Sequence, residues 1–271
     1  MKALVAQPLF EMIPLRDALE RAEALPPGAA VTVTASPSHG LEATVDLAGA
    51  LQARGHDATP HLSAHMVADE AHLRDLLDRC RYHGFRTGFV VGGDAKDRGT
   101  YHDGLSLLRA IVELGSPFAE IGVPAYPEGH PDIADDVLLR VLREKQEYAS
   151  YMATQMSFNP RAIDAWIRRM RAEGISLPIH LGTPGVAEIT KLMTIATRIG
   201  VADSARYLRK NKQLIGHVIR GRFGPDALLE QLAPTLADPA ADVRALHLFT
   251  FNQIEATVEW QRGMLEQLSG Q

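Results

Sequence analysis

Cysteine is almost absent from this chain: Cys80 stands alone among 271 residues. One thiol can neither close an internal disulfide nor anchor a multi-cysteine zinc site, so both kinds of staple are excluded. Long apolar runs are missing too. None approaches the ~20 residues that a membrane-crossing helix needs. The apolar opening, residues 1–6, stops at Gln7-Pro8 with Glu11 soon after, which is not the pattern of a secretory leader. Neither sign of charge dominates. With 28 basic and 33 acidic side chains the net charge is −5, which offers no broad attraction to nucleic acid or anionic lipid. Nor is there a linker-like Pro/Gly tract, a low-complexity segment or a repeat. What remains is ordinary globular composition, 46% hydrophobic and 23% charged. The expectation is one cytoplasmic domain over 1–271, without nucleic-acid or membrane partners, homo-oligomerisation being left open.

Short apolar, β-branched segments alternate with longer stretches of helical period. Strands are expected at 3–7, 31–35, 57–62, 87–91, 119–125, 151–155, 177–182 and 245–250. Between them, Leu15, Ala18, Leu19 and Ala22 recur at spacings of three and four, as do Leu73, Leu76, Leu77 and Cys80. The same pattern returns over 42–54, 104–115, 136–147 and 160–173. Eight strand–helix pairs in 271 residues predict an α/β fold, a single (β/α)8 TIM barrel. The interval 184–244 holds three helical stretches, about 188–199, 203–219 and 225–235, where a plain barrel needs one. Extra helices are therefore expected between strands seven and eight, over the mouth.

Chemistry in such a barrel is done where the strands end. The residues at those exits are Glu11, Thr34, His61, Asp94, Tyr126 with His130, Gln155, Gly182-Thr183 and Asn252. No exit carries a lysine, which argues against a Schiff-base aldolase. His61 and His65 are four apart, but they leave a strand and no carboxylate cluster accompanies them, so no metal site is expected. Cys80 falls on the apolar face of its helix and reads as a core thiol. The basic group Arg206, Arg209, Lys210, Lys212, Arg220 and Arg222 is either a solvated face or a landing site for anionic groups. Gly182-Thr183-Pro184-Gly185 reads equally as a phosphate cradle or a strand-to-helix turn.

The strings Phe10-Glu11-Met12-Ile13-Pro14, Val31-Thr32-Val33-Thr34, Pro60-His61-Leu62, Gly92-Gly93-Asp94, Ala125-Tyr126-Pro127-Glu128-Gly129-His130-Pro131, Thr154-Gln155 with Phe158, and His247-Leu248-Phe249-Thr250-Phe251-Asn252 occur in this order. Together they resemble the methylenetetrahydrofolate reductase family. The resemblance implies reduction of 5,10-methylenetetrahydrofolate to 5-methyltetrahydrofolate with NADH or NADPH through bound FAD. The methylene bridge is an aminal, and it must open to an iminium before it accepts hydride. Opening needs a proton on the leaving nitrogen, and Glu11 is the acid the resemblance supplies. Asp94, Gln155 and Asn252 are implied as substrate-binding. Asp94 is suited to the paired donors of a pterin edge. Thr34, His61, Tyr126, His130, Arg143 and Lys145 are implied as cofactor-binding. The sequence departs from the family where the flavin's adenosine and pyrophosphate would lie. Gly92 stands where the family usually has Arg, and Leu138 and Val141 stand for Asp and Asn. Two alternatives stay open: direct hydride transfer from nicotinamide to a methylene-pterin without flavin, and a non-catalytic pterin- or flavin-binding barrel.

Overall fold

The structure is a computed structural model, which describes residues 1–95, 99–198 and 222–270. Eight parallel strands close on themselves: β1 (Leu9–Met12), β2 (Ala30–Val33), β3 (Asp57–Ser63), β4 (Thr87–Val91), β5 (Glu120–Ala125), β6 (Tyr151–Thr154), β7 (Ile179–Pro184) and a last strand, β10 (Val243–Phe249). Closure is made by β1, which pairs with β2 on one side and β10 on the other. Two short strands, β8 (Ala187–Glu188) and β9 (Arg222–Phe223), form a separate antiparallel pair between β7 and β10. The expected (β/α)8 barrel is therefore present, with one correction. Residues 3–7 are not the first strand: Lys2–Ala6 is a short helix, α1, and the strand starts at Leu9. An apolar run of five fits either state by pattern alone. Here the helix buries Leu4 and Val5, and the amide of Gln261 donates to the otherwise unmet carbonyls of Val5 and Ala6.

The period-two alternation of the strands sorts side chains between two environments. Phe10, Met12, Val31, Val33, Leu62, Val90, Val123, Leu181, Leu246 and Leu248 belong to the main core, shared with the surrounding helices. The helix Glu70–His83 (α4) shows how that core is held. Asp69 caps its first turn by accepting from the His72 N–H, Gly84 ends it in the left-handed region, and Leu73, Leu76, Leu77 and Cys80 are buried. Burial pushes the Cys80 thiol up to about 12, as befits a core thiol. The alternate residues face the barrel axis, and they are unusually polar: Glu11, Thr32, His61, Tyr151, His180 and His247, with Phe89 and Phe249. Gly122 makes room for two of the rings. A Cβ there would stand 2.3 Å from Tyr151 Cζ and 2.5 Å from Phe89 Cδ2.

The interval after β7 carries two of the three expected helices, Ile189–Arg198 (α8) and Asp226–Ala237 (α9). The third, 203–219, and Arg206, Arg209, Lys210, Lys212 and Arg220 lie outside the described residues. Ala187, Leu192 and Phe223 form an apolar cluster with Met156 and Phe158, against which Phe249 and Phe251 pack. Met156, Phe158 and Phe251 follow the exits of β6 and β10, so the described flanks of this interval sit on the mouth side. Among the described residues, no helix is long and apolar enough to cross a membrane.

Candidate functional site

Closing the barrel brings the first strand against the last. Glu11 is level with Phe249 and Thr32 in the strand register. Its Oε2 lies 3.0 Å from His247 Nε2, and the two side chains are 14% and 3% exposed, so the carboxyl is the wetter end of a buried pair. Thr250 donates its hydroxyl to the Glu11 carbonyl, fixing the backbone below. The His247 ring is packed 5.0 Å from Phe249, 6.3 Å from Phe89 and 6.5 Å from His61, centroid to centroid.

Around this pair the interior is held neutral. His61 Nε2 meets Thr32 Oγ1 at 2.7 Å, and burial, aided by the neighbouring His247, drops the His61 imidazole to about 3. His180 stacks on Tyr151 at 3.9 Å and is lowered to about 3 for the same two reasons. Burial first, then the charges of Glu120 and Asp57, pushes the Tyr151 phenol up. His61 thus lies inside the barrel, its Nε2 bonded to Thr32. His65 bonds the His102 carbonyl through Nε2 at 2.9 Å.

Three successive exits form one side of the mouth. Gly93 adopts φ +94°, and a Cβ there would lie 1.9 Å from Ser63 Oγ, so only glycine lets the chain turn Asp94 outward here. Asp94 is exposed. Tyr126, on the next exit, has its phenol pushed up to about 12 by burial and by the Asp94 charge, which places the two within electrostatic reach. Gln155, on the third, is tied to the second by its backbone N–H donating to Ala125 O at 2.7 Å. Its Oε1 accepts from the Met156 N–H, and its Nε2 has no hydrogen bond among the described residues. Thr34 follows β2 and donates its N–H to Met12 O, beside the end of β1. His130 sits edge-on to Tyr126 at 5.2 Å, with Nδ1 accepting from the Asp132 N–H.

Beside these exits a cleft of about 250 Å³ opens, lined by Gly92, Tyr126, Leu138, Val141, Lys145 and Trp166 among others. Lys145 comes from the helix Asp135–Lys145 (α6) and is buried, with no ion pair among the described residues. A Cβ on Gly104 would stand 3.5 Å from its Nζ and 3.2 Å from the Gly92 nitrogen, so the ammonium reaches the end of β4. Burial pulls its pKa down, against the attraction of Asp103. Arg143 does not join it. Its guanidinium pairs with the Glu173 carboxylate and carbonyl, where α7 (Pro160–Ala172) ends, on the side opposite the mouth.

Two other expectations end in structural work. Asn252 is 2% exposed and both ends of its amide are spent: Oδ1 accepts from the Ile13 N–H at 2.8 Å and Nδ2 donates to Ile13 O at 2.9 Å. It clamps the turn after β10 to the turn after β1, with one amide N–H and one oxygen lone pair committed to Ile13. Around Gly182-Thr183-Pro184-Gly185, the N–H of Gly182 goes to Thr154 Oγ1 and that of Gly185 to Phe249 O, so neither is left to cradle phosphate. The residue that sequence reasoning passed over is His247. Its signal was available: the alternation of the last strand sets His247 and Phe249 on one face, the face opposed to Leu248 in the outer core.

A family model described as methylenetetrahydrofolate reductase matches residues 11–262. A "Probable methylenetetrahydrofolate reductase (NADPH)" of Caenorhabditis elegans is 24% identical over 257 residues, covering 87% of this chain and 38% of the relative. "Methylenetetrahydrofolate reductase 1" of Schizosaccharomyces pombe is 39% identical over 143 residues, covering 49% of this chain and 23% of the relative. The chain thus spans less than half the length of these curated relatives.

Proposed function

Since the chain belongs to the methylenetetrahydrofolate reductase family, we propose that it reduces 5,10-methylenetetrahydrofolate to 5-methyltetrahydrofolate in the cytoplasm, with electrons from NADH or NADPH. The observation that carries this reading is the Glu11 carboxyl, mostly buried, bonded to His247 and set among neutral groups at the mouth of the barrel. Glu11 delivers a proton to the leaving nitrogen of the aminal, the carbon–nitrogen bond breaks, and the resulting iminium accepts hydride to become the methyl group. A binding protein has no need of a buried acid at this place. Asp94 accepts from the paired N–H donors of the pterin edge, and Gln155 contributes its Nε2. Asn252, held to Ile13 by both its amide oxygen and its amide nitrogen, is read first as the group that positions the turns at the mouth.

The family implies FAD, and the residues present fit it in part. Lys145, buried beside Gly92 and Gly104 with no ion pair among the described residues, suits a phosphate oxygen; Tyr126 lines the same cleft with His130 edge-on to it, while Thr34 stands at the β2 exit, beside β1. His61 and Arg143, bonded to Thr32 and Glu173, support a flavin contact less directly. When bound, FAD supplies a carrier that takes hydride from the nicotinamide and passes it to the folate. The apolar wall that includes Leu138 and Val141 keeps the direct route, nicotinamide to pterin without flavin, as a second reading.

The test is a pair of rates on Glu11→Gln. Folate reduction should fall by about 10²–10⁴-fold, the usual worth of general acid catalysis, while reduction of a quinone acceptor by the nicotinamide persists. Folate reduction that survives the substitution removes Glu11 as the acid.

A further inference from the structure

Resting on the reading of Glu11 as the acid, we propose that His247 is its positioning residue, donating Nε2–H to Oε2 so that the transferable proton is carried on Oε1. The two atoms are 3.0 Å apart, across the seam where the first and last strands meet. His247 Nδ1 is buried and has no hydrogen-bond partner among the described residues. Burying an N–H without an acceptor is costlier than burying a ring lone pair, so the proton belongs on Nε2, the nitrogen that faces Glu11. With that donor fixed on Oε2, one carboxyl oxygen stays an acceptor in both protonation states. Only Oε1 is then free to gain and lose the proton.

Packing makes the donor rigid. Phe249, Phe89 and His61 surround the buried imidazole with ring centroids 5.0, 6.3 and 6.5 Å away. The backbone of Glu11 is fixed separately, by the Thr250 hydroxyl on its carbonyl and by pairing to β2 and β10. His247 therefore acts on the one thing the backbone leaves open, the side-chain rotamer of Glu11. After proton transfer the same N–H is already aimed at the carboxylate that forms, with no rearrangement required.

The test compares wild type, Glu11→Gln, His247→Leu, His247→Gln and the double variant Glu11→Gln/His247→Leu. Folate reduction and quinone reduction are measured for each. His247→Leu should lower kcat for folate reduction by about 10-fold or more, with KM for folate changed less than about threefold and quinone reduction kept. His247→Gln retains an N–H for Oε2 and should recover most of the loss. In the Glu11→Gln background, His247→Leu should cost less than about twofold, because its effect passes through Glu11. Additive losses, or a Gln variant as impaired as Leu, overturn the proposal. If His247→Leu does not fold, His247→Asn, polar but too short to reach Glu11, takes its place in the same cycle. A harmless Glu11→Gln removes the acid assignment and this proposal together, whereas a damaging Glu11→Gln with additive His247→Leu removes only the role of His247.

Discussion

Asn252, expected from sequence to bind substrate, is placed as a clamp between two turns, and that gives a quantitative test. Its side chain joins both polar groups of Ile13, and its own backbone sits at φ +59°. Removing the side chain leaves a backbone N–H and a backbone C=O without protein partners in a half-buried turn. Each unmet group costs about 1–3 kcal/mol when buried, less where water can reach it. The pair therefore amounts to about 2–4 kcal/mol. Asn252→Gly tolerates the positive φ and should show that loss alone. Asn252→Ala adds the left-handed penalty of a Cβ, about 1–2 kcal/mol, and should be the less stable of the two. Since 1 kcal/mol moves Tm by about 2–4 °C in a chain of this size, Asn252→Gly should melt on the order of 10 °C below wild type. Unfolding in urea and by heat measures stability, and calorimetric titration measures folate affinity on the folded protein. The structural reading requires a large stability loss, with folate affinity kept within about threefold. Two glycine and alanine variants as stable as wild type, with folate binding abolished, would refute it and return Asn252 to the substrate site.

Asp94→Asn keeps shape but turns one acceptor into a donor facing a donor edge, so folate Kd should rise by about 10- to 100-fold in a binding titration; an unchanged Kd takes Asp94 out of the site. Lys145→Met removes a buried ammonium that has no ion pair among the described residues, at similar length, so Tm should hold or rise while dinucleotide retention falls. Absorbance at the flavin band after desalting an FAD-loaded sample reads this out, and equal retention by variant and wild type counts against Lys145 as a phosphate contact. Acid should destabilise the fold through its inner histidines. His61 and His180 are lowered to about 3 in the folded chain, against an ordinary 6.5 when unfolded. Above 6.5 neither state is protonated and stability does not vary on their account. As pH falls from 6.5 towards 3, the unfolded chain takes up protons that the folded one refuses, so stability drops by at most about 1.4 kcal/mol per pH unit for each histidine. His180→Gln should flatten the slope of urea-unfolding stability between pH 6 and 4.5; a slope identical to wild type would show that His180 is not held neutral.

The alternation of apolar, β-branched segments with helical periods was enough to read an eight-stranded barrel from the chain. Outward and inward faces follow from strand and helix repeats that are local properties of sequence. The placement of Asp94 and Gln155 at the mouth was legible for the same reason, since each lies just after its own strand. The first strand was misplaced because residues 3–7 and 9–12 are both short and apolar. Which of them enters the sheet depended on β2 and β10 accepting the second, and on Gln261 capping the first as a helix. Arg143 and Asn252 carry polar groups at exposed-looking positions, but their partners, Glu173 and Ile13, are chosen by tertiary packing. His247 and Glu11 stand 236 residues apart. Each is the polar member of its own strand's inward face, and that much is written in the sequence. Their contact arises only because the sheet closes, which makes neighbours of the first strand and the last.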